Sequence, residues 1–184
     1  MADVTIGLGI AYISRLIFAA VQVAGTIVDF QMGFGVVNVI DPQTDTQVSV
    51  TAQLQNIFAV FIFLAVDAHH YIFQAIVDSF FVINPFKINF SSVTPEYVLH
   101  LFSATFITAV KISAPIMAIL FFLSVGLGLV ARTVPQMNVF IVGFPLQIGI
   151  GLLMVGLSIS FFSILVQNEM HDLPDKFTGF MQGL

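Results

Sequence analysis

RTVPQMNVFIVGFP, residues Arg132–Pro145, decides how this chain is read. It is preceded by PIMAILFFLSVGLGLVA (115–131) and followed by LQIGIGLLMVGLSISFFSILV (146–166). Each flank approaches the run of about 20 apolar residues that carries a helix across a hydrocarbon core of about 30 Å. An arginine, two prolines, a glutamine and an asparagine between them mark a break between two long apolar helices. Pro135 cannot continue the incoming helix. Gln136 and Asn138 can hydrogen-bond the backbone groups that the break frees, and Arg132 stands where a last-turn cation meets a helix C-terminus. Non-helical backbone at membrane depth is tolerated only inside protein or against a wet cavity. The stretch is therefore expected to be held within protein. A plain surface turn is the other reading, against which its apolar members Val134, Met137, Val139 and Phe140 weigh.

Composition extends the same argument. The chain has 184 residues, of which 58% are hydrophobic and 8% charged, against about 25% charged in a soluble domain. Its mean hydropathy is +1.04. With 5 Lys and Arg and a net charge of −5, it lacks the basic footprint that nucleic acid requires. It has no cysteine, which removes disulfides and thiolate metal sites. The opening MADVTIGLGI has no positively charged n-region, so no removable signal peptide is expected.

Apolar runs cover Val4–Val28, Val50–Ile83, Pro95–Val130 and Val139–Val166. The second and third are too long for one straight crossing. Thr94, Pro95 and Glu96 read as a helix start, with a hydroxyl cap, a proline at the first position and an acid in the first turn. Pro115 is expected to kink the helix that follows. The fold class predicted is all-α, with long kinked hydrophobic helices forming hairpins within a single domain over 1–184. The tail from Asn168 is short and amphipathic. Lys87 and Lys176 are nearly the only loop cations from which orientation could be read.

Arg15, Asp67 and Lys111 lie inside apolar runs, where a charge at a bilayer centre costs about 2.5–3.5 kcal/mol. Each needs a partner, a wet cavity or a place outside lipid. Arg15, Gln22 and Asp29 recur every seven residues along one slowly drifting face. Gln53, Asn56, Asp67, His70, Gln74 and Asp78 share a face if their helix is continuous. Gly149, Gly156, Ser160, Ser163 and Gln167 form a small and polar seam suited to close helix approach. These faces either pack within the chain or face a larger assembly, and the number of charges to be satisfied favours the assembly. In DAHH, Asp67 and His70 are i,i+3 neighbours and read as a hydrogen-bonded pair, a proton relay being the alternative. Zinc asks for three or four convergent ligands, and His100 and His171 carry no ligand spacing; no metal and no cofactor are expected. No nucleophile–base spacing, H-E-x-x-H or P-loop occurs, so an enzyme is not expected.

The motifs resemble the FliR family of flagellar biosynthesis proteins and its relatives in virulence type III secretion. Arg132, Pro135, Gln136, Asn138, Phe140, Gly143 and Pro145 match the family's R-x-x-P-Q-x-N-x-F-x-x-G-F-P signature. Gly25, Gln31, Met32, Gly33, Asp41 and Pro42 match a second segment. FLAVDAHHYIFQAIVDSF resembles a third, with Ala68 where glycine is usual and His69 on the family histidine. The helical count instead puts His70 on the polar face, and a bend near Ala68 would reconcile the two. Family members carry further apolar helices before the region matching Val4, so the chain is expected to lack that first portion.

The resemblance implies a place in a closed helical export-gate ring of FliP, FliQ and FliR subunits, with an FlhB-like protein on its cytoplasmic side. It implies a bacterial inner-membrane location at the flagellar basal body, contact with lipid, and passage of unfolded flagellar export substrates through the centre. It also implies a pore plug built from Gln31, Met32, Gly33, Phe34 and Gly35, where glycines soften the backbone beside bulky side chains. The function expected is a structural and gating subunit of a protein-export channel. The alternative is a stand-alone transporter or proton channel that uses the buried polar set Arg15, Asp67, His69, His70 and Lys111.

Overall fold

The computed structural model describes residues 2–34, 49–82, 95–134, 136 and 138–182. Among these the chain is helical without strands: α1 Ala2–Met32, α2 Val50–Ala65, α3 Ala68–Val82, α4 Pro95–Thr133, α5 Val139–Leu157, α6 Ile159–His171 and α7 Leu173–Gln182. The signature read from the sequence is the α4–α5 junction. Lys87 and Thr94 lie outside the described residues, as do Gly35, Pro135 and Met137.

α1 is the axis of the fold. Its buried residues Ile6, Ile10, Ile13, Ile17, Ala20, Ala24, Val28 and Met32 recur every three or four positions, the interval that puts side chains on one helical stripe. That stripe packs mainly against α4 and α2. α4 answers with Leu101, Thr108, Ile112, Ile116 and Leu120. At 39 residues and a rise of about 1.5 Å each, α4 reaches about 58 Å, far beyond a hydrocarbon core. It runs through Pro115 as a single helix. The short tail is helical: α7 buries Leu173, Phe177 and Met181 at i, i+4 and i+8, closing one large core with α1, α3 and α6. A smaller core joins Val28 and Met32 to Ile116, Leu120 and Val155.

The breaks fall at Asp67 and Ser158. α2 and α3 bend by 65° across Val66–Asp67, and the chain bends by 55° between α5 and α6. α1 and α4 are long and apolar enough to cross a membrane, and each bent pair could serve as one further span. The bend at Asp67 splits the polar face expected of a continuous second helix, leaving Gln53 and Asn56 on α2 and His70, Gln74 and Asp78 on α3, with Gln53, Asp67, His70 and Gln74 exposed. The face of Arg15, Gln22 and Asp29 also divides: the first two are exposed and Asp29 is buried. A straight helix drifts about 20° per heptad, enough here to carry Asp29 onto α2. The seam in the fourth run is not a packing seam within this chain. Gly149 and Gly156 are exposed, with open space where a Cβ would stand. Close approach occurs instead at Gly151, where a Cβ would run into the Met32 side chain, and at Gly25, where it would run into the Ala52 backbone.

Many large side chains are left outside. Phe80 and Phe81 are 76% and 86% exposed and Phe122 72%. Further exposed apolar residues run along α4 and α5, among them Phe106, Leu129, Ile141 and Leu153.

Candidate functional site

The polar chemistry of the chain gathers at the two ends of α2 and at the α6–α7 turn. At the N-terminal end, Ser49 caps α2 by accepting from the Ala52 amide at 3.1 Å. Its hydroxyl donates to Asp29 Oδ2 at 2.5 Å, and the Thr51 amide donates to the same oxygen at 3.3 Å. A carboxylate from α1 thus serves the start of α2, where free amides and the helix dipole favour negative charge. Asp29 Oδ1, Thr51 Oγ1 and Gln55 Oε1 are buried, and no described residue donates to them. Just beyond Asp29, α1 ends at Gly33, whose φ of 88° is the left-handed conformation in which helices commonly terminate on glycine.

This junction locates the residues expected to form a plug. Met32 is fully buried in the smaller core. Gln31 and Phe34 are half-buried, with Phe34 packed against that core. A Cβ on Gly33 would stand 2.7 Å from Phe144. Met32 is therefore the root of the segment, and Gly35 lies outside the described residues.

At the C-terminal end of α2, the Val66 amide bonds to Ile62 O at 2.9 Å and Asp67 N to Leu64 O at 3.3 Å. Asp67 has φ 54°, the left-handed conformation in a residue other than glycine. Its carbonyl receives the His70 amide at 2.9 Å and starts α3. His69 is half-buried beside Phe63, their ring centroids 6.3 Å apart, while His70 is exposed. The bend expected near Ala68 is present one residue earlier. It reconciles the two histidines by bringing both within reach of Asp67 Oδ1, with His69 Nε2 at 4.0 Å and His70 Nδ1 at 3.8 Å.

Burial of Arg15, Asp67, His69, His70 and Lys111 is not achieved inside this chain. Arg15, Asp67, His70 and Lys111 are exposed, because the inner faces of α1 and α4 are filled by aliphatic and small side chains. The polar residues buried instead are Asp29, Thr51, Gln55, Ser79, Thr108 and Ser113. The signature stretch is also on the surface of the chain: Arg132, Gln136, Asn138 and Pro145 are exposed, Gly143 is buried, and Phe140 lies in α5. Asn138 O accepts from the Ile141 amide at 3.1 Å, opening α5.

The third polar group was missed by sequence reasoning. Glu169 on α6 accepts from Thr108 Oγ1 of α4 at 2.6 Å and from Lys176 Nζ of α7 at 2.6 Å. Tyr97 donates to Lys176 O at 2.7 Å. Lys176 is thus a half-buried, ion-paired helix residue and no free loop cation from which to read orientation. Its only signal in the sequence is an acid and a base seven apart in the amphipathic tail.

The sequence model of the family described as "Bacterial export proteins, family 1" matches residues 1–173. The chain is 41% identical over 169 residues to "Flagellar biosynthetic protein FliR" of Bacillus subtilis, covering 90% of this chain and 65% of the relative. It is 31% identical over 180 residues to the protein of that name from Aquifex aeolicus, covering 98% and 69%. It is 29% identical over 156 residues to "Yop proteins translocation protein T" of Yersinia pestis, covering 83% and 59%. The chain spans roughly two thirds of the length of these relatives. An ordered match across nearly all of its helices places this chain in family 1 of the bacterial export proteins.

Proposed function

We propose that the chain is a component of a flagellar type III protein-export apparatus, acting as a structural and gating subunit of the export channel in the bacterial inner membrane. The observation that carries this reading is the mismatch between α4 and a bilayer. A helix of 39 residues with a long exposed apolar face exceeds about 30 Å of hydrocarbon almost twofold, so part of that face is covered by protein. Monomeric soluble proteins rarely expose contiguous apolar patches beyond a few hundred Å². The buried oxygens of Asp29, Thr51 and Gln55 agree with this, since buried polar groups are normally hydrogen-bonded and neighbouring subunits can supply donors.

In this reading FliP-like and FliQ-like subunits cover the outer faces of α2–α5, and an FlhB-like protein binds the assembly. The exposed signature residues Arg132 and Gln136 face neighbouring subunits. The segment Gln31–Gly35 faces the pore, rooted by Met32 and narrowed by Phe34. Unfolded flagellar subunits pass beside it. The relatives' names concern flagellar biosynthesis and Yop translocation, which supports transport of protein rather than catalysis. The stand-alone transporter finds less support, because Arg15 and Lys111 point out of the fold and no described residue pairs with either in an ion bridge.

The test is co-expression with FliP-like and FliQ-like subunits. Copurification as a stable complex is expected, together with ion leakage on Phe34→Asp, since hydrophobic constrictions gate by dewetting. A chain that purifies alone and transports ions unaided would overturn the proposal. An assembled Phe34→Asp complex that stays ion-tight would remove the gating role from this segment and leave the structural one.

A further inference from the structure

The elbow between α2 and α3 carries chemistry that export alone does not use. An aspartate at a helix start ordinarily turns its carboxylate onto the first free amides. Asp67 does not: its carboxylate faces two neighbouring imidazoles, with Oδ1 at 4.0 Å from His69 Nε2 and 3.8 Å from His70 Nδ1. The two rings lie 4.3 Å apart between centroids. One ligand atom from each of the three residues fits within a sphere of mutual distances no greater than 4.8 Å. These separations are too long for hydrogen bonds. They are close to the edge of a coordination tetrahedron, about 3.3–3.5 Å when metal–ligand bonds are about 2.0–2.1 Å. Small rotamer changes in the exposed side chains of Asp67 and His70 close the remaining difference.

The backbone adds a second, independent observation. Asp67 is held at φ 54°, a conformation that costs an ordinary residue about 1–3 kcal/mol and collects at functional sites. Asp67 and His70 are i,i+3 neighbours, but without that turn His69, two positions from the one and one from the other, would not join them, since residues one and two apart on a helix do not share a face. His69 Nδ1 is buried beside the Phe63 ring with no hydrogen-bond partner among the described residues, which leaves Nε2 as the nitrogen turned toward Asp67.

We propose that Asp67, His69 and His70 bind a divalent transition cation of the zinc class, with the carboxylate, His69 Nε2 and His70 Nδ1 as ligands and water completing the shell. Two imidazoles and one carboxylate suit zinc and its late first-row neighbours rather than magnesium or calcium. The ion would pin the 65° elbow by bridging the last turn of the bend to the first turn of α3. This departs from the expectation of no metal drawn from the sequence, and it is independent of the export reading.

The experiment titrates the purified full chain in detergent micelles with Zn²⁺ against a chromophoric chelator, and with Co²⁺ read by its visible ligand-field bands. One saturable site per chain is expected, with a tetrahedral Co²⁺ spectrum and a rise in thermal unfolding midpoint on adding Zn²⁺. Asp67→Gly is the cleanest variant, because glycine adopts φ 54° freely and the elbow keeps its shape while a ligand is lost. Loss of an outer partner alone weakens metal sites about 10–100-fold, so Asp67→Gly and His70→Gln are each expected to weaken binding at least about 10-fold. His100→Gln and His171→Gln should leave it unchanged. If Asp67→Gly fails to fold, Asp67→Asn, which also tolerates the left-handed turn, replaces it. Absence of saturable binding, or binding that survives both elbow variants, overturns the proposal.

Discussion

The two ends of α2 solve the same problem in opposite ways. Each is a place where an apolar helix stops and an aspartate is present. At the N-terminal end Asp29 is buried, comes from another helix, and spends one oxygen on Ser49 and Thr51. At the C-terminal end Asp67 is exposed, belongs to the turn itself, and faces histidines rather than amides. The first end is welded by close packing, with Gly25 against the Ala52 backbone. The second is held by a single left-handed residue. An aspartate beside a helix end is thus no fixed device: its surroundings decide whether it holds helices together or offers itself to a ligand.

The welded end predicts large losses. Met32→Ala should cost most, about 2–5 kcal/mol, because it empties the site against Gly151 where α1, α4 and α5 meet. Unfolding of the detergent-solubilised chain by heat or SDS measures it, and a loss below 1 kcal/mol would show that α5 collapses onto the gap. Gly25→Leu comes next at up to about 3 kcal/mol, the usual range for overpacking. The readout is yield and unfolding midpoint, and a chain of normal stability would mean that α1 and α2 can separate without penalty.

Asp29→Ala should cost about 1.5–3 kcal/mol, the worth of hydrogen bonds to a charged group. Amide exchange in the first turn of α2 should rise with it, and unchanged protection there would move the weld from the carboxylate to the packing. The smallest effect belongs to the other end and has the opposite sign. Asp67→Gly should leave stability unchanged or raise it by up to about 1 kcal/mol in the absence of metal, by relieving the left-handed turn. A loss comparable with that of Asp29→Ala would erase the contrast between the ends.

Much of this was legible in the sequence for a simple reason. Apolar runs with helical spacing and proline or glycine punctuation depend on neighbours a few residues away, so α1, the start of α4 at Pro95 and the α4–α5 break at the signature stretch could be read directly. The bend near Ala68 was legible too, through the mismatch between helical count and histidine position. The seam of Gly149 and Gly156 was legible as a shared face but not as an outward one, because spacing shows that small residues share a face and not which way the face points. The helical tail and the Glu169–Lys176 pair were missed because an acid and a base seven apart lie two helical turns from each other, outside the i,i+3 and i,i+4 spacings at which helix pairs are read.

The sequence by itself determined that the chain is helical, apolar beyond the needs of water, and punctuated at particular residues, because backbone propensity and side-chain periodicity are local. Only the tertiary structure decided which polar residues are inside. Asp29 and Arg15 lie on one heptad face, yet helix drift and the arrival of Ser49 and Thr51 bury the one and leave the other exposed. Burial is a property of what packs against a residue, and that partner is chosen by the whole fold rather than by the segment.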